Sequence, residues 1–179
     1  MTATVPPRSD PSADAEAAVL GCLLWAGVEA ATEFLVDLAD EMVVDPLNAT
    51  ILGLVRALVD FGQAPAPGVV LAEARRTGME AHRWGALGLR LAELYGDAPP
   101  ASAGPWFLAR LREEAARRRI LQAGTRLTQV AESASIEDLA DVVEAEMVGT
   151  RQAWLALQAG TLTGLRTAVL VVDGREALS

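Results

Sequence analysis

The sequence predicts an all-α protein: a bundle of short helices, then a long antiparallel helical hairpin, then a short C-terminal tail with room for one strand. Three observations carry that prediction. Apolar residues recur at helical spacing along most of the chain. Glycine and proline cut its first half into short segments. From Pro105 to Ser133 the pattern then runs long, with no internal proline.

Residues 1–11, with three prolines among Ser and Thr, read as a flexible arm. Ser12 is positioned to cap a first helix, with Asp14 and Glu16 in the opening turn where the helix dipole favours anions. Ala15, Val19, Cys22, Leu23 and Ala26 supply its apolar face, and Gly27 stops it. Glu29 to Leu38 is a second short helix with Ala30, Phe34 and Leu38 on one side. The third has the clearest start: Asp45 caps it, and Pro46 takes the first helical position, where a missing N–H is harmless. Leu47, Ile51, Leu54, Val55 and Leu58 form its buried stripe, and Gly62 ends it. After the Ala64–Gly68 connector, Val69 to Thr77 is a short helix closed by Gly78. Trp84, Leu87, Leu91 and Leu94 mark another, stopped before Gly96 and the Pro99-Pro100 pair. Together these make a globular bundle over residues 12–104.

Residues 105–159 form the hairpin. Along its first helix Leu108, Leu111, Ala115, Ile120, Gly124, Leu127 and Ala131 lie roughly on one face. The second follows Ser133-Ala134-Ser135 and carries Ile136, Ala140, Val143, Met147, Thr150, Trp154 and Leu157. Those steps alternate four and three, the seam of a coiled coil. Two long helices joined by so short a connection must fold back on one another. Residues 160–179 are a tail or linker, in which Ala168 to Val172 is a β-branched run ended by Asp173-Gly174. It reads as a lone strand, loosely ordered or paired with another copy.

Composition excludes several chemistries. All 15 basic residues are arginines, so the lysine of a Walker-type phosphate loop and of Schiff-base chemistry is absent. One His and one Cys cannot build a His/Cys zinc site, and a single Cys cannot form an internal disulfide. Cys22 reads as a small buried apolar residue. The longest uncharged apolar run, Ala17 to Val28, is too short to span a bilayer, which takes about 20 residues. No basic-then-apolar leader opens the chain, and the expectation is a cytoplasmic protein with no membrane partner. Residues 1–62 hold two arginines against ten acids, residues 63–130 ten against six, and residues 131–179 three against eight. An overall charge of −9 repels phosphate, so direct DNA binding is expected to be weak or absent.

Candidate sites follow from what remains. Arg117-Arg118-Arg119 with Arg110, Arg112 and Arg126 is the densest basic stretch. Adjacent helical residues diverge by about 100° each, so the three do not form one patch. The bland reading is a solvated helix face paired with Glu113 and Glu114. The functional one is a partner-binding basic face of Arg110, Arg117 and Arg118 that meets an acidic partner, a second copy before DNA. The hairpin is expected to dimerise or to form a higher homo-oligomer through Leu127, Val143, Met147, Trp154 and Leu157, with Trp154 as anchor. A monomer whose hairpin packs on its own bundle is the competing picture. His82, between Ala81 and Arg83, reads as a surface histidine. Asp40-Glu41 and Glu144–Glu146 read as helix-surface or helix-end charge. No catalytic constellation, cofactor site or metal site emerges; the expectation is a binding module that is not an enzyme.

The order of elements resembles the N-terminal domain of the DnaB-type hexameric replicative helicases. Ala15-Glu16-Ala17-Ala18-Val19-Leu20-Gly21-Cys22-Leu23-Leu24 looks like that domain's opening helix. Asn48, Ile51, Ala57, Leu58 and Gly62 match its third helix and closing glycine. Leu87 to Leu94 with Pro99-Pro100-Ala101-Ser102, then Leu108, Leu111, Glu114, Arg118 and Ile120, are similar to the passage that opens its hairpin. The likeness covers about residues 12–157. It departs at Met42–Leu47, where the family carries an aromatic and basic or histidine positions, and at Ala66–Val69, where it carries Asp and Thr. No nucleotide-binding motif follows Gly160, so the motor of the full-length relatives, which are ATP-dependent helicases, is not expected here. The resemblance implies a collar module of DNA replication whose hairpins pair and which docks primase or a full-length replicative helicase. The alternative is a stand-alone regulator, of phage or mobile-element type, that inhibits or modifies a host helicase.

Overall fold

The computed structural model describes residues 11–133, 135, 138–152 and 154–155. Expectations for the arm, the 168–172 strand, the 160–179 tail, Ile136 and Leu157 lie outside the described residues. Within them every regular element is helical, and the chain divides into two compact units, Met1–Leu108 and Ala109–Ser179.

In the first unit α1 is Pro11–Trp25, α2 Val28–Val36, α3 Pro46–Asp60, α4 Pro67–Arg76 and α5 Trp84–Gly96, with single 3-10 turns at Asp40–Met42, Ala81–Arg83 and Ala101–Ala103. Helix α6, Gly104–Ser133, starts in this unit and continues into the second. The core is aliphatic: Leu20, Leu23, Leu38, Ile51, Leu52, Leu87, Leu91 and Leu94 are all essentially excluded from solvent. Fully burying side chains of this size contributes about 1.5–3 kcal/mol each, which is how a chain so poor in aromatics holds a bundle. Helix α1 packs on α5 closely enough that a side chain at Gly21 has no room: a Cβ there would stand 2.6 Å from the Leu94 carbonyl oxygen.

The cap of α3 matches expectation. Asp45 Oδ1 accepts from the Leu47 and Asn48 amides at 2.9 and 2.8 Å, with Pro46 at the first position. Gly62, at a φ of 71°, turns the chain out at the other end. Four expectations need correction. Helix α1 already includes Ser12 rather than being capped by it. On α2 the buried residues are Ala31 and Leu35, with Ala30 exposed, because the helix rolls its Ala31–Leu35 side toward the core. Leu47 is only half-buried, while Asn48, Leu52 and Val59 join the stripe of α3. On α6 the buried residues are Leu108, Leu111, Ala116 and Ala123; Gly124 and Ala131 are exposed and Ile120 is 47% exposed.

The largest surprise is Glu16. Read from sequence as a first-turn acid, it lies beyond the first turn of α1, where only Asp14 falls, and is 2% exposed. Its Oε1 accepts from the Val44 amide at 2.8 Å, and its Oε2 from the Asp45 amide at 3.3 Å and the Asn48 side-chain amide at 3.2 Å. Arg90 of α5 donates to Asn48 Oδ1 at 3.0 Å and pairs with Glu93 at 3.2 Å. One buried carboxylate thus ties α1 to the entry of α3 and, through Asn48, to α5. A parallel stitch runs from Arg56, which donates to Asp40 at 2.8 Å and to the Leu35 and Leu38 carbonyls at the end of α2.

Candidate docking surface on the helical hairpin

The second unit is built from α6 beyond Leu108 and a second long helix, described over residues 138–152 and 154–155. Ser135 starts that helix: its Oγ accepts from the Asp138 amide at 3.2 Å and donates to Asp138 Oδ2 at 2.7 Å, while its carbonyl accepts from the Leu139 amide at 3.0 Å. A serine oxygen that accepts from the amide three residues on is an N-cap. Arg119 lies opposite Glu146 and Gly149, and Arg126 opposite Glu146, so the two helices run antiparallel.

Their shared face is polar at its centre. Glu146, expected to be surface charge, is 3% exposed. Arg126 Nη1 donates to its Oε1 at 2.8 Å, and Arg119 Nη2 stands 3.0 Å from Oε2 as an ionic contact without hydrogen-bond alignment. The surface expectation failed because adjacency in sequence says nothing about which side of a helix meets its partner. Spacing held a signal nonetheless: Arg119 and Arg126 are seven apart, so they share one face of α6.

The apolar seam is displaced from this face. Taking about 100° per residue, the row Ala140, Val143, Met147, Thr150, Trp154 is centred about 80° around the helix from Glu146. Accordingly Val143 and Thr150 are half-buried, Ala140 is exposed, and Met147 and Trp154 are 66% and 55% exposed. On α6, Leu127 is half-buried beside the exposed Ile120. Ile120, Leu127 and Met147 each directly follow a residue of the arginine–glutamate cluster. Both helices wind the same way while running oppositely, so a one-residue step from the shared face turns to the same flank of the hairpin on each. Ile120, Leu127, Met147 and Trp154 therefore occupy one flank. Of the predicted interface set, Leu127, Val143, Met147 and Trp154 fall on or beside it, and Leu157 lies outside the described residues. Ile120, absent from that set, belongs with them. Val148, Leu155 and Leu121 add exposed apolar surface elsewhere on the two helices.

The basic stretch is tied down along α6. Arg110 pairs with Glu113 at 2.6 Å and Glu114 at 3.7 Å, and Arg117 with Glu113 at 2.8 Å. The Arg117 hydrogen bond, with the Arg110 charge behind it, holds the Glu113 carboxyl below its ordinary range. Arg118 is half-buried and has interactions of its own. Arg119 and Arg126 turn to Glu146, so the stretch is divided among several faces.

Elsewhere, an open cleft of 560 Å³ in the first unit is lined by Asp14, Arg90, Glu93, Asp97 and Phe107 among others. A second, of 370 Å³, lies between α3 and α4 and is walled by Leu58, Phe61 and Val69. Neither places a nucleophile beside a base. His82 lines neither cleft and sits exposed, 3.6 Å from Glu80. Cys22 is buried, and that burial pushes its thiol pKa up. Among the described residues no three His, Cys, Asp or Glu side chains gather as a metal site, and no helix is long and apolar enough to cross a membrane.

No family model matches the sequence, and no curated protein does. Among solved structures, the chain is similar to the N-terminal domain of DnaB helicase from Mycobacterium tuberculosis. The two are 24% identical with a TM-score of 0.66, over 80% of this chain and 99% of that one. At that identity the likeness establishes a shared all-α fold.

Proposed function

We propose that the chain is a non-catalytic self-association and protein-docking module of the DnaB N-terminal type, acting in DNA replication. The observation that carries this reading is the flank of the hairpin. Met147 and Trp154, which helical periodicity places on one seam, stand in solvent on the second helix, with Ile120 exposed beside them on α6. Such a row loses contact with water when it meets its like, and two copies of one hairpin present complementary rows automatically. The shared fold supports the same reading, since the solved relative is itself the N-terminal domain of a helicase. Homo-dimerisation through Leu127, Val143, Met147, Trp154 and Leu157 is the first level of the proposal. Docking of primase or a full-length replicative helicase is the second, with Arg110, Arg117 and Arg118 as the basic contact. The protein works in the cytoplasm and carries out no chemistry of its own.

Light scattering at high micromolar concentration tests the first level. A dimer or larger assembly is expected, and Met147→Asp combined with Trp154→Ala dissociates it while helix content stays unchanged. A monodisperse monomer at all concentrations refutes self-association. The second level is tested by capture of purified primase and purified full-length helicase from the same organism; binding of neither refutes it.

A further inference from the structure

The second hairpin helix poses a physical problem. Its most apolar face carries Met147 and Trp154, yet the face turned to α6 is centred on a glutamate. Burial of apolar area alone would turn the helix about 80° the other way, bringing the seam against α6 and sending Glu146 into water. Something opposes that rotation. We propose that the Arg119–Glu146–Arg126 cluster is a rotational lock, which holds the helix in the one orientation that leaves its apolar seam available to a second chain. The proposal rests on the self-association reading above and explains how the surface for it is kept open.

Three features support the lock. Glu146 is almost fully excluded from water and meets an arginine from either side of its position along α6. Rolling the helix away would strip both ionic contacts at once, and with them the charge-assisted hydrogen bond from Arg126. Second, Gly149, one turn beyond Glu146, is where the Arg119 guanidinium passes: a Cβ there would collide with Arg119 Nη2. A residue with any side chain would push that guanidinium off its path, so the glycine makes the passage for one arm of the lock. Third, the inward residues of α6 near the cluster are the small Ala116 and Ala123, which leave the two arginines room to reach across. Buried polar groups that select one helix orientation among several apolar alternatives are a recognised use of such pairs.

The test measures orientation directly and assembly separately. Met147→Cys provides a thiol on the seam, and Cys22 is buried and serves as the slow internal reference. In the parent chain the Met147→Cys thiol is expected to react quickly with a maleimide once dilution has dissociated the assembly. Adding Arg119→Gln and Arg126→Gln removes the lock, and the helix rolls to bury its seam and carry Glu146 into water. Labelling then slows roughly tenfold, as for a site open in about one molecule in ten, and no longer depends on protein concentration. The same variant is expected to be monomeric with its helix content intact. Equally fast labelling with and without the two arginine changes, in chains of unchanged helicity, overturns the lock. Slow labelling of the doubly changed chain beside a parent that never assembles keeps the lock and removes self-association instead. Should the double change unfold the hairpin, Glu146→Gln decides. Removing the charge but keeping the size and polarity, it is expected to slow labelling part of the way, and no change in rate overturns the proposal.

Discussion

Each unit buries a glutamate that joins two helices, Glu16 in the first and Glu146 in the second, and the two are held in opposite ways; Glu73 of α4, also buried, pairs with Arg76 on its own helix. In the first, Glu16 is met by neutral donors: two consecutive backbone amides and the Asn48 side chain, all from the entry of α3. In the second, Glu146 is met by two full charges from the facing helix. The surroundings differ as well. Large aliphatic side chains close over the bundle, whereas the hairpin past Leu111 buries the alanines Ala116 and Ala123 and leaves Met147 and Trp154 outside. Glu16 sits within a core that is already stable and fixes where α3 begins. Glu146 sits where little apolar area is shared, so it has correspondingly more influence on how the two helices face each other. The same side chain acts as an anchor in one region and as an orientation control in the other.

Substitutions can break or sharpen that contrast. The largest loss of stability is expected in the aliphatic core: Leu91→Ala, at a site 1% exposed, should cost about 2–5 kcal/mol, read as a lower urea midpoint. Next comes the anchor. Glu16→Gln keeps the volume but turns an NH2 toward donors, leaving a buried N–H unpaired at about 1–3 kcal/mol; hydrogen exchange at Val44 and Asp45 should rise with it. Asp45→Ala removes the cap of α3 and should cost about 0.5–2 kcal/mol in the same denaturation. On the hairpin flank, Met147→Asp with Trp154→Ala should change the unfolding midpoint of the monomer little, within about 0.5 kcal/mol, because both sites are solvent-facing. Its effect should appear in assembly. A stability loss there as large as that of Leu91→Ala would place the seam inside the monomer. The smallest effect belongs to Arg117→Ala, which frees an exposed carboxylate. The folded pKa of Glu113 is depressed, so its contribution is present above the ordinary carboxylate range and is lost as pH falls through the depressed value. Titration of Glu113 by NMR should show that depression shrink in the variant, and shrink in the parent as salt is added.

Much of the fold was legible because its signals are local. The Asp45-Pro46 start, the Gly62 and Gly78 exits, the Leu87–Leu91–Leu94 stripe and the extent of α6 each depend on a few neighbouring residues. Cap chemistry and backbone freedom act at that range. The pairing of Arg110 and Arg117 with Glu113 was readable for the same reason, since those residues are one turn apart. The candidate surface was half legible. A four-three row announced that Met147 and Trp154 share a face, but its direction was not available. Turning a helix about its axis changes nothing that local spacing can register. Glu146 was misread and the burial of Glu16 missed because the donors that meet these carboxylates lie far along the chain, 28–32 residues away for Glu16 and 20 for the Arg126 bond to Glu146.

By itself, then, the sequence determined where helices start and stop, that the chain is all-α, and which residues travel together on a face. It also excluded the chemistries that need lysine or paired thiols. Tertiary structure decided which way each face turns: Ala31 inward and Ala30 out on α2, Glu146 inward and Met147 out on the last helix. The physical reason is one of range. Helix formation is set by contacts within about four residues, whereas orientation is set by the donors, acceptors and free volume that another part of the chain supplies.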